Sequence, residues 1–247
     1  LAMIAILAYF YYRYFAGTTY EKRFAFCMRI FALLLLVTTY SRVSWGMLAL
    51  FVFLVAGARF RKLLAPAAIA AVMLVSVVAP VRERVSDIFV FTPDSSVLWR
   101  MNIWSDALLL TRFENRESFG FGLDTFPVVI SSLHTREFGS ADAHNDFVKF
   151  FVEGGVVGFM VYLLWMGWFV ARFFFLSRKG EYADQERELF LFLGLLLLSV
   201  WVASLSDALF KSTPLQWVLW IIVGAVLGMV ARQSARSWFR EGYKSIP

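Results

Sequence analysis

One histidine of the sequence stands where it could act as a base. His144 occurs in the stretch Ala143-His144-Asn145-Asp146-Phe147, where a long polar segment meets an apolar run. An imidazole titrates near neutral pH, so a histidine at a surface is suited to accept a proton. Asn145 and Asp146 are residue types that cap the first turn of a helix. We therefore expect His144 to be a general base, the alternative being a structural hydrogen bond at the start of a helix.

Other charged residues are placed to bind a substrate at the same surface. Arg42 lies in the very short connection 41–46 between two apolar runs, and Arg100 flanks an apolar stripe. Guanidinium groups bind phosphate through paired, charge-assisted hydrogen bonds, although both arginines could instead contact lipid head groups or form a salt bridge. Asp207 and Lys211 lie at the end of a later apolar segment. We expect both to contact a substrate, with helix capping as the alternative for Asp207.

Two further groupings have alternative explanations. Asp142, His144 and Asp146 alternate along the chain and could be read as a metal site, but no second histidine follows at helical spacing. Lys149 and Glu153 are four residues apart on one helical face. They either pair with each other or, as ionisable groups in an apolar segment, serve the function directly. We expect neither a metal nor another cofactor.

A glycine motif, a second histidine and the single cysteine are the remaining candidates. Gly120-Phe121-Gly122 marks a tight turn, with an anion-binding nest as the alternative. His134 lies outside any motif and is expected to be an ordinary surface residue. Cys27, the single cysteine, lies within an apolar run, which excludes a disulfide framework and a cysteine-based metal site.

The composition indicates which elements must position these residues. Hydrophobic residues make up 60% of the 247 residues and charged residues only 17%, more apolar surface than one soluble core of this size can bury. The class is therefore integral membrane protein. The net charge of +6 falls in short clusters between apolar runs rather than along one groove, so we exclude a nucleic-acid partner.

Apolar runs predict seven transmembrane helices in an all-α bundle. They cover residues 1–12, 24–40, 45–57, 63–78, 147–171, 189–205 and 215–230. Several are shorter than the roughly 20 residues that span hydrocarbon, so their flanks must contribute or the helices must be buried among others. Because the chain is apolar from Leu1, we expect it to begin inside a membrane helix. Seven spans before a cytoplasmic tail would place Leu1 at the outer face, so we expect an odd number of helices upstream.

Lysine and arginine positions predict the orientation of the bundle. Cytoplasmic loops are rich in these residues, and here the basic connections alternate with connections that hold only Arg42 or Lys211. The long connection then falls outside the cytoplasm. It contains ten acidic and six basic residues counted from 79 to 146. Within it, apolar residues recur at helical spacing over 97–110, which predicts an amphipathic helix on the membrane surface or on the bundle. The remainder to Asp142 is predicted to be irregular.

The predicted organisation is one membrane domain. Residues 1–78 form four transmembrane helices, 79–145 an extracytoplasmic loop, 146–231 three more transmembrane helices and 232–247 a cytoplasmic tail.

Four motifs occur in the order found in a known family. They are Ser41-Arg42 with Trp45-Gly46, Arg100 with Trp104, Phe119-Gly120-Phe121-Gly122, and His144-Asn145 with Glu153-Gly154-Gly155-Val156-Val157-Gly158. The chain resembles the C-terminal part of the O-antigen ligase and polymerase family, from about Phe24 to the last helix. Each motif is weak alone, and their common order gives the resemblance its force.

The resemblance implies a GT-C-like glycosyltransferase in the bacterial inner membrane with its active site facing the periplasm. The implied reaction is an inverting, metal-independent transfer of a glycan from undecaprenyl pyrophosphate to an acceptor hydroxyl. His144 would be the base, and Arg42 and Arg100 would bind the pyrophosphate; Asn145, Asp207 and Lys211 would contact substrate. The acceptor would be lipid A core or a second lipid-linked glycan, and membrane lipids would surround the bundle.

Two other function classes stay open. A transporter or flippase would place polar residues in the centres of its helices, whereas the runs 31–37, 67–75 and 191–198 are apolar. A non-catalytic scaffold of the envelope would tolerate replacement of His144.

Overall fold

The computed structural model describes residues 2–15, 17–39, 41–59, 96–133 and 141–244, together with the single residues Lys62, Ala65 and Ile69. In chain order the helices are α1 (Ala2–Phe10, continued by a π-helical turn over Tyr11–Phe15), α2 (Thr19–Thr38), α3 (Arg42–Arg59), α4 (Ser96–Phe113), α5 (Phe126–Leu133), α6 (Asp146–Arg178), α7 (Asp184–Ala203) and α8 (Thr213–Lys244), with a 3-10 helix, Leu209–Lys211, before α8. These residues include no strand, in agreement with the predicted all-α class.

The predicted membrane segments fall on helices wherever the structure describes them. Two described helices are long and apolar enough to cross a membrane, Asp146–Arg178 and the part Thr213–Arg232 of α8. The apolar stretch Val43–Ala58 of α3 is shorter. The predicted segment 63–78 lies outside the described residues, so seven spans remain a prediction.

The chain divides into two compact units, Leu1–Leu209 and Phe210–Pro247. Within the first unit, α6 and α7 form the most extensive helix pair, α3 packs on α7, and α1 packs on α2. Phe173 of α6 and Leu196 of α7 are fully buried in this unit. The second unit contains α8, an apolar helix that begins at Thr213.

The long connection carries one helix that the sequence predicts and one that it does not. The predicted helix over 97–110 is confirmed as α4, Ser96–Phe113. The prediction that the remainder is irregular is wrong, because α5 occupies Phe126–Leu133. This helix has only eight residues, too few for its periodicity to be recognised.

A small apolar core holds α4 and α5 against the start of α6. Ile103 and Ala107 of α4, Phe126 and Ile130 of α5, and Val152 of α6 are buried in it. The burial of these side chains explains why α5 forms at all, since so short a helix is marginal without tertiary contacts.

Candidate active site

The helix α6 breaks near its start. At Gly155 the backbone has φ 61° and ψ −163°, a combination that is essentially restricted to glycine. A break leaves the carbonyl groups before it and the N–H groups after it without partners within the helix. Because buried backbone groups need partners, another segment must supply them.

The turn that precedes α5 supplies these partners. Four backbone hydrogen bonds join the two segments: Phe121 N to Val152 O at 3.0 Å, Gly122 N to Glu153 O at 2.9 Å, Val156 N to Glu117 O at 2.7 Å, and Val157 N to Ser118 O at 3.2 Å. The turn and the break therefore interlock, and we call this contact the glycine interlock. It joins two of the motifs on which the family resemblance depends.

Two glycines make the close approach possible. A Cβ atom on Gly120 would lie 2.4 Å from the carbonyl carbon of Glu153, and one on Gly155 would lie 2.3 Å from that of Ser118. Both glycines also have left-handed φ. The tight turn is confirmed, and the anion nest is excluded because the amides of Gly120, Phe121 and Gly122 all donate to backbone carbonyls.

Lys149 and Glu153 pair as one of the two alternatives predicts. Their Nζ and Oε1 atoms are 2.9 Å apart, and the Glu153 side chain is almost fully buried. The same Oε1 accepts a hydrogen bond from Phe126 N, the first residue of α5, at 3.1 Å. A negative carboxylate near a helix N-terminus also interacts favourably with the helix dipole. Glu153 therefore stabilises α5, although it lies 27 residues after Phe126 in the chain.

His144 lies immediately before α6 and is held on both sides. The carbonyl oxygen of Ala143 accepts a hydrogen bond from Trp104 Nε1 of α4. Asn145 is the N-cap of α6, its Oδ1 accepting from Phe147 N at 2.9 Å and Val148 N at 3.2 Å. Between these anchors, His144 has φ 47°, an uncommon left-handed conformation for a non-glycine residue. The sequence-predicted capping role of Asn145 is confirmed.

The side chain of His144 contacts Asp207. Nδ1 of the imidazole lies 3.0 Å from Oδ1 of Asp207, which follows the end of α7. The hydrogen bond to His144 is the main cause of a lowered pKa for the Asp207 carboxyl, with smaller contributions from the amide of Ala208 and the charge of Arg100. An ionised carboxylate only accepts, so Nδ1 of His144 is the donor in this contact, and in the neutral form of the ring the lone pair is on Nε2.

The turn after α7 is fixed against the start of α6. The amide of Asp146 donates to the carbonyl oxygen of Ser204 at 2.9 Å, and the hydroxyls of Tyr162 and Ser204 are 2.9 Å apart. These contacts explain why Asp207 meets His144 although 63 residues separate them in the chain.

Arg100 lies beside this pair. Its Nη1 donates to the carbonyl oxygen of Ser206 at 2.9 Å, one residue before Asp207. Arg100, Trp104 and Ser206, with Val97 and Met101, line an open cleft of about 380 Å³. Predicted residues His144, Arg100 and Asp207 are thus brought together at one place.

The other predicted residues are less fully described. Arg42 is the first residue of α3, but its side chain lies outside the described part of the structure. Lys211 is exposed and belongs to the second unit. His134 lies outside the described residues.

The alternative metal site at Asp142, His144 and Asp146 does not assemble in the described part of the chain. Among the described histidines, cysteines, aspartates and glutamates, no three come close enough to hold a metal ion. This includes Asp142, His144 and Asp146, of which Asp146 is buried at the start of α6.

Two structural roles were not predicted from the sequence. Trp104 anchors the backbone before His144, and Asp207 orients the imidazole rather than capping a helix alone. Trp104 had a signal, since it stands four residues after Arg100 on the same face of a helix. Nothing in the local sequence indicates the contact between Asp207 and His144.

Comparison with known proteins identifies the family. No curated protein matches the chain. A family model described as O-antigen ligase matches residues 27–163, more than half of the chain, and this segment contains Arg42, Arg100, the glycine interlock and His144. The match confirms the resemblance drawn from the order of the motifs. The chain therefore belongs to the O-antigen ligase family, whose members are membrane proteins that transfer glycans in envelope assembly.

Proposed function

We propose that the protein transfers a glycan from undecaprenyl pyrophosphate to an acceptor hydroxyl in a single, inverting displacement. The observation that carries this proposal is the 3.0 Å contact between His144 Nδ1 and Asp207 Oδ1. It orients the ring, fixes its tautomer and leaves Nε2 available for a proton. A histidine oriented by a carboxylate is a recurrent general base.

The proposed step is one displacement at the anomeric carbon. Nε2 of His144 takes the proton of the acceptor hydroxyl while the hydroxyl oxygen attacks the anomeric carbon. The bond from that carbon to the pyrophosphate oxygen breaks, and its electron pair leaves with the pyrophosphate. One displacement inverts the anomeric configuration. Pyrophosphate is a good leaving group, so no separate general acid is needed.

Two arginines supply the positive charge that the leaving group requires. Arg100 lines the cleft next to the His144–Asp207 pair, and its guanidinium group carries a positive charge at any physiological pH. We assign Arg42 to the same task on the strength of the family motif. Fixed donors directed at developing charge stabilise a transition state more than they stabilise the bound substrate.

The first prediction separates the base from the anion-binding residues. His144→Ala should lower the single-turnover rate by about 10²–10⁴-fold and leave donor affinity nearly unchanged, because it removes the proton acceptor and keeps the arginines that bind the pyrophosphate. Arg100→Lys should lower both donor affinity and rate, because lysine lacks the planar pair of donors. The measurement is donor binding and single-turnover transfer with purified protein in detergent.

A matched variant controls for the backbone. Asparagine tolerates the left-handed conformation of His144 and has no basic nitrogen, so His144→Asn should fold like the wild type and be as inactive as His144→Ala. Wild-type turnover in either variant would refute the base. A loss of donor binding equal to that of Arg100→Lys would assign His144 to substrate binding instead.

The second prediction concerns metal ions. The proposed base and arginines need no cation, so transfer should persist after exhaustive chelation. If activity disappears with the chelator and one divalent metal restores it, the metal-independent step is wrong.

Other function classes differ in these experiments. A scaffold would keep its cellular role in His144→Asn, and a flippase would move the lipid-linked donor without consuming it. Offering lipid A core and a second lipid-linked glycan to the same preparation separates a ligase from a polymerase.

A further inference from the structure

The turn of the glycine interlock exposes large apolar side chains. Phe119 and Leu123 are 75% and 80% exposed, although they flank a turn whose backbone is packed against α6. The turn residues 118–123 include no charged residue. An exposed phenylalanine and leucine on so short and rigid a segment indicate a surface that something apolar covers.

This apolar surface continues directly onto α6. Val157, Val161, Leu164 and Trp168 are exposed and follow one another at intervals of three or four residues, so they share one face of the helix. The amide of Val157 is bonded to the carbonyl of Ser118, next to Phe119 in the chain. The exposed face of α6 therefore starts where the turn is attached. On a membrane-spanning helix such a face meets lipid.

The backbone of the turn is also suited to an apolar environment. Hydrocarbon offers no hydrogen bonds, so polypeptide enters it only where its polar backbone groups are bonded within the protein. The amides of Gly120, Phe121 and Gly122 all donate to backbone carbonyls, and the carbonyls of Glu117 and Ser118 accept from α6. These bonds also satisfy the break of α6, and they leave the five named groups with partners that lipid would not have to supply.

We propose that the segment 118–123 is immersed in the bilayer leaflet on the His144 side of the membrane, with Phe119 and Leu123 among the lipid chains. The occupant of this surface is lipid, because the surface continues the exposed face of a helix long and apolar enough to span the membrane. Immersion would fix the break of α6, and with it His144, at a constant depth. The inference depends on the apolar surface and is independent of the reaction proposed above.

Fluorescent labels at single cysteines test the proposal. In a Cys27→Ser background, Phe119→Cys and Leu123→Cys would each carry an environment-sensitive nitrobenzoxadiazole label. Glu114→Cys is the control, since Glu114 is exposed and charged and belongs in water. The intact protein is reconstituted in vesicles of phosphatidylethanolamine and phosphatidylglycerol.

We expect blue-shifted emission from labels at 119 and 123, with more than half of the intensity lost to nitroxide-bearing lipids and little lost to aqueous iodide. The label at 114 should show the opposite pattern. Iodide quenching at 119 and 123 as strong as at 114 would place the segment in water and overturn the proposal. Protection from both quenchers would show that protein, from this chain or a second copy, covers the surface, which also overturns it. Because both side chains are exposed, two independent positions guard against one variant that fails to fold.

Discussion

At the scale of single residues, the geometry of His144 is set by its neighbours rather than by its own preferences. A left-handed backbone conformation costs a non-glycine residue roughly 1–3 kcal/mol, and it persists only where the surroundings enforce it. Here the Trp104 bond to Ala143 and the Asn145 cap enforce it on either side. The result is an imidazole directed at Asp207, with its other nitrogen available.

If the Asp207 carboxylate orients His144, its replacement should change both the rate of glycan transfer and the pH dependence of folding stability. Asp207→Asn should slow transfer by about 10²-fold or more, because an amide does not hold the imidazole in the required tautomer. The pKa of Asp207 is lowered in the folded state, so ionisation of this carboxyl stabilises the fold. The stabilisation is complete at pH values above the ordinary aspartate pKa of about 3.9. This stabilisation is lost as the pH falls through the lowered pKa. The variant should therefore melt below the wild type at neutral pH, and the difference should shrink below about pH 4.

Thermal unfolding in detergent at a series of pH values, together with single-turnover rates at neutral pH, measures both effects. A difference in melting temperature that is unchanged down to strongly acidic pH would show that ionisation of Asp207 contributes nothing.

The sequence identified His144 as a candidate, but it did not identify the residue that His144 contacts. His144 was recognisable because a histidine at the boundary of a polar and an apolar segment has few structural reasons to be there. The contact between Asp207 and His144 could not be predicted, because 63 residues separate them in the chain. Helical spacing predicts contacts only between residues of the same helix.

At the scale of elements, the glycine interlock determines where α6 breaks and where α5 forms. Glu153 contributes to both, since its carbonyl accepts from Gly122 and its carboxylate bonds to the first amide of α5. Helical periodicity located α4 within a few residues. It could not locate α5, whose N-terminal partner comes from another helix.

Adjacent glycines allow a sharp test of the interlock. In Gly155→Ala, the new Cβ would overlap the Ser118 backbone at 2.3 Å and occupy a conformation essentially restricted to glycine. We expect a loss of unfolding free energy of about 3 kcal/mol or more, since strain of about 1–3 kcal/mol adds to steric overlap. A Cβ on Gly154 meets no atom within 4 Å. Gly154→Ala should leave stability unchanged or raise it by up to about 1 kcal/mol.

The readout is the melting temperature of the purified protein and the yield of folded protein in the membrane. Equal stability of the two variants would show that the break of α6 is not maintained by the interlock.

At the scale of the whole molecule, α6 runs from the candidate site at one end to Arg178 at the other. After its break at Gly155, α6 continues to Arg178, and this part alone spans about 35 Å, more than the roughly 30 Å of bilayer hydrocarbon. His144 precedes its first residue. Arg178 ends it and, with Arg13 and Arg187, lines an open cavity of about 810 Å³. Since arginines and lysines concentrate in cytoplasmic loops, the Arg178 end is expected in the cytoplasm and the His144 end outside it.

Cysteine accessibility tests this orientation. In a Cys27→Ser background, a cysteine replacing Ser131 of α5 should react with a membrane-impermeant thiol reagent in intact spheroplasts, because Ser131 is exposed on the His144 side of α6. A cysteine replacing Ser177, beside Arg178 at the far end of α6, should react only after the membrane is permeabilised. Permeabilised cells also control for cysteines that are simply buried, since Ser177 is half-buried. Labelling at 177 but not at 131 in intact spheroplasts would reverse the orientation. The lipid-linked donor and His144 would then lie on the cytoplasmic side, and the assignment of an extracytoplasmic active site would be wrong.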